Sequence, residues 1–332
     1  MIRTVRMLAL AAGVATGLTA ASTAPAVADG FPHGDLRVIV PAAPGGGADR
    51  TTRGQAPYFE AAGGVPVIVE NVPGGNMAVG LQHYLNNEPR DGSVIVRGLQ
   101  LHFSGGIARG AAYAVDDFAV IGGDMPITNS LWVHADSPWH TIDELIADIR
   151  ANPGRISGNY LVGTATHIGL EVFVDLLELD VVKVPYTSGA SQRADLLGRH
   201  VDFSITSLES TQAVLTEAEG RPLLVYSDER HAGAPDVPTL AEVARAHNPQ
   251  AEVPSVGQQY FYAVHREVRE QHPAVYDALV AMMAEAVTNE EYVAWAMEQG
   301  WFIEYLDPDQ ATSVVERLHA VSEQFTEVLS DM

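Results

Sequence analysis

The sequence predicts an α/β protein of two domains, or three small ones, and three observations carry that reading. Its 332 residues are more than one hydrophobic core usually organises. Hydrophobic residues make up 47% of it and charged residues 18%, which supplies a sizeable core and excludes a disordered chain. Short apolar, β-branched runs alternate with amphipathic helical stretches along its length.

Taken in order, residues 36–40 (Leu-Arg-Val-Ile-Val) form a first strand that breaks at Pro41 and a glycine-rich turn. Residues 48–62 read as a helix, with Pro57 an awkward interior residue. A second strand at 65–70 leaves through Asn71-Val72-Pro73-Gly74-Gly75. A helix at 76–87, a turn at Arg90-Asp91-Gly92 and a strand at 93–97 follow, then strands at 118–122 and 131–134. Thr141 caps a helix reaching about residue 151, with Glu144 at the capping-box position. The middle of the chain repeats the alternation: strands at 156–159, 181–184, 201–205 and 223–227, helices at 166–179, 188–197 and 208–219. A turn-rich connector at 234–238 leads to a strand at 260–264 and helices at 273–287, 290–299 and 308–329. Leu279, Met282, Met283 and Ala286, at helical spacing, are expected in the core.

Residues 1–28 read as a signal peptide rather than as part of the fold. Arg3 and Arg6 precede an apolar stretch at 7–21, and Ala26-Val27-Ala28 forms a cleavage signal. That stretch is too short to span a membrane, and no later run approaches a spanning length. With no cysteine to carry a lipid, the expected product is a soluble periplasmic protein that is neither a lipoprotein nor membrane-inserted.

Composition removes several functions. Acidic residues outnumber basic ones 42 to 19, a net charge of −23, which argues against nucleic acid as a partner. Zero cysteines excludes disulfides, thiolate metal sites and cysteine nucleophiles. The 12 histidines are scattered without helix-spaced ligand pairs, so neither a metal nor a cofactor is expected. An enzyme is disfavoured because neither Gly-x-Ser-x-Gly nor His-Glu-x-x-His occurs. Trp132, Trp139, Trp295 and Trp301 read as core and hinge packing.

The chemistry concentrates at four strand-end loops. Pro44-Gly45-Gly46-Gly47-Ala48-Asp49 lies between the first strand and first helix, where free backbone N–H groups and the helix dipole favour an anion. It lacks both the Gly-Lys-[Ser/Thr] ending of a P-loop and the glycine spacing of a dinucleotide fingerprint. The others are Asn71-Val72-Pro73-Gly74-Gly75, Val162-Gly163-Thr164-Ala165-Thr166-His167 and Pro185-Tyr186-Thr187-Ser188-Gly189. Ligands of open α/β sheets sit at the carboxyl ends of strands, so four such loops from both halves suggest one anion held between two domains.

At these loops the chain resembles the TctC or Bug family, periplasmic solute receptors of tripartite tricarboxylate transporters. Six segments carry the resemblance in order: LRVIVPAAPGGGADR, VPVIVENVPGGN, EPRDGSVIV, VGTATHIGLEVF, VKVPYTSGASQRADLLGRHVDF and GAPDVPTLAEV. The resemblance implies a bilobal periplasmic-binding-protein fold of type II, two α/β lobes hinged around a cleft, and a monomer that hands a small organic carboxylate to membrane permease subunits. A periplasmic sensor presenting the same ligand to a membrane signalling receptor is the alternative. Carried over residue by residue, the carboxylate loop is Pro44, Gly45, Gly46, Gly47 and Asp49, with Asp49 capping the helix or orienting a water. The opposite lobe supplies Gly163, Thr164, Thr166, His167, Tyr186 and Ser207.

Departures from the family pattern fall at the site. Val72 stands where the family has arginine, and Tyr260 where it often has tryptophan. The family's Phe-Asp-Asn aligns with Ile205-Thr206-Ser207, which lacks an acid where amino groups could be recognised. No arginine lies within the four loops, so neutral donors are expected to dominate; Arg50, Arg97 and Arg193 are the basic residues that could reach in from outside. Gly46 and Gly47 are expected to need glycine's freedom. The expected lobes are 30–127 plus 231–332, and 128–230, with connectors at 124–129 and 227–238.

Overall fold

The structure, a computed structural model, describes residue 31 and residues 34–326 except 187–188, 213–214, 217 and 255. The expected signal peptide at 1–28 lies outside the described residues, as do parts of the helices expected at 188–197, 208–219 and 308–329.

Two five-stranded sheets organise the chain. The first is built from β1 (Leu36–Val40), β2 (Val67–Asn71), β3 (Val94–Leu99), β4 (Phe118–Ile127) and β10 (Gln258–His265), in the order β2-β1-β3-β10-β4. The second holds β5 (Asn129–His134), β6 (Ser157–Leu161), β7 (Val182–Tyr186), β8 (Phe203–Ser207) and β9 (Gly220–Val225), in the order β7-β6-β8-β5-β9. In each, three strands run parallel through helical crossovers: β1 pairs in parallel with β2 and β3, and β6 with β7 and β8. The long return strands β10 and β5 pair antiparallel. Val38, Ile39 and Val40 of β1, and Val94, Ile95 and Val96 of β3, are fully buried, as parallel strands covered on both faces require.

Parallel topology sends every crossover helix back from the same end of its sheet, so the helix starts gather where the strands finish. Those helices are α1 (Gly47–Gly63), α2 (Ala78–Asn87) and α3 (Gln100–Ala108) on the first sheet, then α5 (Ala165–Leu177), α6 (Gly189–Leu197) and the short α7 (Leu208–Gln212) on the second, whereas α4 (Ile142–Ala151) follows the antiparallel β5 and starts at the opposite end. α4 carries the expected box: Thr141 accepts from the Glu144 N–H, and Glu144 accepts from the Thr141 N–H. α8 (Leu240–His247) follows the second sheet. After β10, α9 (Arg266–Gln271), α10 (Pro273–Val287), α11 (Glu290–Glu298) and α12 (Pro308–Gln324) complete the chain. Leu279, Met282, Met283 and Ala286 lie in the core of the first sheet as expected.

Three helices escape sequence reading. α3 has no amphipathic period because it is buried nearly all round, with Leu101 in the second core and Phe103 in the first. Gly105 permits that wedge: a Cβ there would stand 3.0 Å from the Gly163 carbonyl oxygen. α9 is a single short turn and a half, and α8 directly follows the segment expected to be a connector, in a stretch where no element was expected.

That segment corrects the expected lobe boundary. The Val225 N–H donates to Pro238 O, Val225 bridges Thr239, and α8 packs on α5 with Leu240, Val243 and Val256 in the second core. The polypeptide therefore crosses between sheets at Thr128 and again near Gly257, not at 227–238. Asn129 staples the two crossings, donating to Val256 O at 3.3 Å and accepting from Gln258 Nε2 at 3.3 Å.

Candidate functional site

The first loop is held from inside α1. Gly45 has φ +76°, a backbone state that favours glycine, and its N–H donates to Asp49 Oδ2 at 2.7 Å. Asp49 Oδ1 accepts from Arg53 Nε at 2.7 Å, Arg53 reaches Asn71 Oδ1 at 2.8 Å, and Asn71 Nδ2 donates to Ala42 O at 3.0 Å. This ring ties the exit of β1 to the exit of β2. Burial raises the Asp49 pKa, but the Gly45 N–H, Asn71 and Arg53 outweigh it and hold the carboxyl below its ordinary value. Asp49 thus shapes the loop as an ionised brace. The freedom expected at Gly46 and Gly47 belongs instead to Gly45. Gly46 is the extended N-cap of α1, and a Cβ there would stand 3.1 Å from Ala43 O. A Cβ at Gly47 would make only an ordinary 3.5 Å contact with Tyr260 Oη.

The opposing loop leaves β6. Thr164 caps α5, accepting from the Thr166 N–H at 3.3 Å and donating to Leu161 O at 2.8 Å. Thr166 Oγ1 accepts from the Leu161 N–H at 2.8 Å. His167 is a second brace: Nδ1 accepts from the Gly163 N–H at 3.4 Å, and the ring stacks on Tyr160 at 4.4 Å. Burial lowers its pKa, Glu171 pulling the other way.

Both loops border one cavity of about 460 Å³ between the sheets. Gly45, Gly46, Gly47, Thr164, Thr166 and Ser207, all expected, line it. Pro44, Asp49, Gly163, His167 and Tyr186 do not: Asp49, Gly163 and His167 hold the loops, and Tyr186 ends β7 half-buried. The starts of α1, α5 and α6 all border the cavity, and the first N–H groups of a helix have no partners within it. Asn76 Nδ2 donates to Val162 O at 3.4 Å, and Arg109 Nη1 to Gly163 O at 3.1 Å, joining the loops of the two sheets.

Sequence reasoning left the guanidinium groups outside the loops as alternatives, and the structure brings in two of them. Arg50 from α1 and Arg193 from α6 line the cavity, one from each side. Among the described residues neither has a carboxylate partner; Arg50 lies 5.7 Å from the centre of the Trp301 ring. Burial and the charge of Arg50 both lower the Arg193 pKa, so the two cations face each other across the site. Their signal was helical spacing: Gly47, Arg50 and Thr51, like Gly189 and Arg193, share a face. Arg97 is excluded, being fully buried and paired with Asp124 at 2.7 Å between the Tyr260 and Tyr262 rings. Trp301 packs at the edge of the first core and also lines the cavity.

The wall at the crossing strands is different in character. Asn129, Gln258 and Glu209 face the cavity there, with His102 from α3. Burial pushes the His102 pKa down to about 4, Gln258 pulling the other way, so the ring is neutral near pH 7. Leu99, Met125 and Ile127 give the site an apolar flank. A larger cavity of about 690 Å³ opens beside Arg230, His231 and Phe302, but no helix start among α1, α5 and α6 reaches it. Among the described residues no group of side chains could hold a metal ion, and no helix is long and apolar enough to cross a membrane.

Two α/β sheets, two crossing strands and a cavity at the strand ends define the class of bilobal periplasmic-binding-protein folds. The chain belongs to the substrate-binding proteins of the tripartite tricarboxylate transporters: the model of the Tripartite tricarboxylate transporter family receptor (TctC) matches residues 55–303. It is 32% identical over 229 residues to a UPF0065 protein of Bordetella pertussis, covering 68% of this chain and 70% of that protein. Protein BugT of the same organism is 26% identical over 68% of this chain and 70% of its own. Among solved structures, a TctC solute-binding protein from Polaromonas without ligand superposes with a TM-score of 0.75 at 23% identity, covering 91% of this chain and all of that one. MatC from Rhodopseudomonas palustris with bound malate gives 0.69 at 19% identity, covering 90% and 100%. These likenesses establish the fold, and the family is one of solute-binding receptors.

Proposed function

We propose that this chain is an exported, periplasmic receptor that captures a small organic carboxylate between two lobes and delivers it to the membrane subunits of a tripartite transporter. It acts as a monomer, and binding is its whole chemistry: the ligand leaves unchanged. One lobe would comprise the chain to residue 127 together with the part from 258 onward, the other the residues between, so that closure bends Thr128 and Gly257.

The observation that carries this reading is the convergence on one cavity of three helix N-termini and two guanidinium groups that have no carboxylate partner among the described residues. Helix starts and guanidinium forks are the two commonest protein devices for a carboxylate. Two structures of this fold hold such acids, malate and adipate. Gly45, Gly46, Gly47, Thr164, Thr166 and Ser207 would supply neutral contacts, and Asp49 and His167 would hold the loops that present them.

A thermal-shift screen over a carboxylate library tests it. At 100 times its Kd a ligand stabilises by about 2.7 kcal/mol. A carboxylate should shift unfolding strongly while its neutral amide does not. Equal shifts from acid and amide, or none from any acid, would refute the reading.

A further inference from the structure

The cavity has two chemically opposite walls. The helix-start wall is dominated by donors, the first helix N–H groups and the Arg50 and Arg193 guanidinium groups, beside the Thr164 and Thr166 hydroxyls. The crossing-strand wall carries acceptors, and two of them are buried. Glu209 is 2% exposed; Oε1 accepts from the Thr128 N–H at 2.9 Å and Oε2 from Ser207 Oγ at 2.8 Å. Gln258 is 7% exposed, and its Oε1 has no hydrogen-bond partner among the described residues. His231 Nε2 lies 3.7 Å from Glu209 Oε1, but burial lowers the histidine's pKa, so it supplies no full counter-charge near pH 7. Burial raises the Glu209 pKa and the Thr128 N–H opposes that rise; a cation on the ligand would oppose it further.

A buried acid lining an anion site repels its ligand unless that ligand brings a donor of its own. The Glu209 carboxylate is held in place by the Thr128 N–H, its own N–H and the Ser207 and Thr128 hydroxyls, all neutral donors that leave its charge without a cationic partner among the described residues. The Gln258 Oε1, which forms no hydrogen bond of good geometry and neighbours the His102 ring, is a second acceptor on the same wall. The charged side chains lining the cavity among the described residues, Arg50, Arg193 and Glu209, also match a ligand with an ammonium group beside its carboxylates. We propose that Glu209, assisted by Gln258, is the specificity-determining residue that selects an amino-substituted carboxylate over the unsubstituted acid. This inference rests on the carboxylate reading of the site.

Matched pairs test it in the full mature chain: propionate and alanine, succinate and aspartate, glutarate and glutamate, titrated by calorimetry and by intrinsic tryptophan fluorescence, to which Trp301 on the cavity wall contributes. In the pair that binds best, the amino compound should bind about 10- to 100-fold tighter, as a charge-assisted hydrogen bond implies. Glu209→Gln keeps the shape and an acceptor for Thr128, and should cut that preference to about 3-fold or less. Gln258→Leu leaves the Thr128 contact untouched and should cut it partially, which guards against a misfolded first variant. The proposal is overturned if the unsubstituted acid binds as well as its amino partner, or if the preference survives in folded Glu209→Gln. It is equally overturned if other carboxylates bind and no amino compound does, in which case the carboxylate reading stands. If no carboxylate of any kind binds, both fall.

Discussion

Replacing Asp49 by asparagine should loosen the glycine loop while leaving the core intact. The carboxylate is 3% exposed and accepts the Gly45 N–H at 2.7 Å. Such a charge-assisted bond contributes about 1.5–3 kcal/mol, against about 0.5–1.5 for the neutral bond an asparagine oxygen can keep. The change also removes a negative charge from the first turn of α1, about 0.3–1 kcal/mol. The lost pair with Arg53 adds little, because that guanidinium side chain is 50% exposed. The expected loss is about 2 kcal/mol in urea unfolding. Because the Asp49 pKa is depressed in the fold, its contribution is complete above the ordinary value of 3.8 and disappears as pH falls through the lower native value. Wild type and variant should therefore converge in strong acid. Carboxylate affinity should drop about 10-fold although Asp49 lies outside the cavity, since its loss costs the loop its position. A stability change within about 0.5 kcal/mol, that of an ordinary surface substitution, with unchanged affinity would refute the brace.

Affinity should fall as salt rises, because two guanidinium groups contribute to the site; a rise with salt would mean that neutral donors dominate after all. His102, neutral in the fold with a pKa of about 4, should cost the protein up to about 3 kcal/mol as pH falls from 6.5 to that value. His102→Gln should flatten that part of the stability profile. Asp124→Asn, which leaves Arg97 fully buried and without its 2.7 Å partner, should destabilise by about 3–5 kcal/mol and be visible in chemical denaturation.

Much of the fold was legible because parallel strands leave dense β-branched runs, and each run here ends in a recognisable turn. The runs at 36–40 and 93–97 match β1 and β3 closely for that reason. α3 was invisible because burial on all sides erases the period that marks a surface helix. The second crossing was misplaced because turn-rich composition at 227–238 reports local conformation, whereas lobe membership depends on where Leu240 and Val243 find their core. The site divides the same way. Loop glycines and Thr164 announce themselves by backbone demands. Arg50 and Arg193 carried a signal in their helical spacing from Gly47 and Gly189, whereas Glu209 and Gln258 reach the cavity only through the placement of the crossing strands, which no local spacing records. His167 looked like a ligand because it opens a helix in a matching loop; its ring turned instead to Tyr160 and the Gly163 N–H.

Calorimetric titration of the wild type against an Arg50→Gln, Arg193→Gln double variant, using the best acid from the library, tests anion capture between the sheets most directly. Each charge-assisted contact is worth about 1.5–3 kcal/mol, so one-to-one binding in the wild type should weaken at least about 100-fold in a variant that still unfolds cooperatively. Equal affinity in the two proteins would contradict it and place the ligand elsewhere.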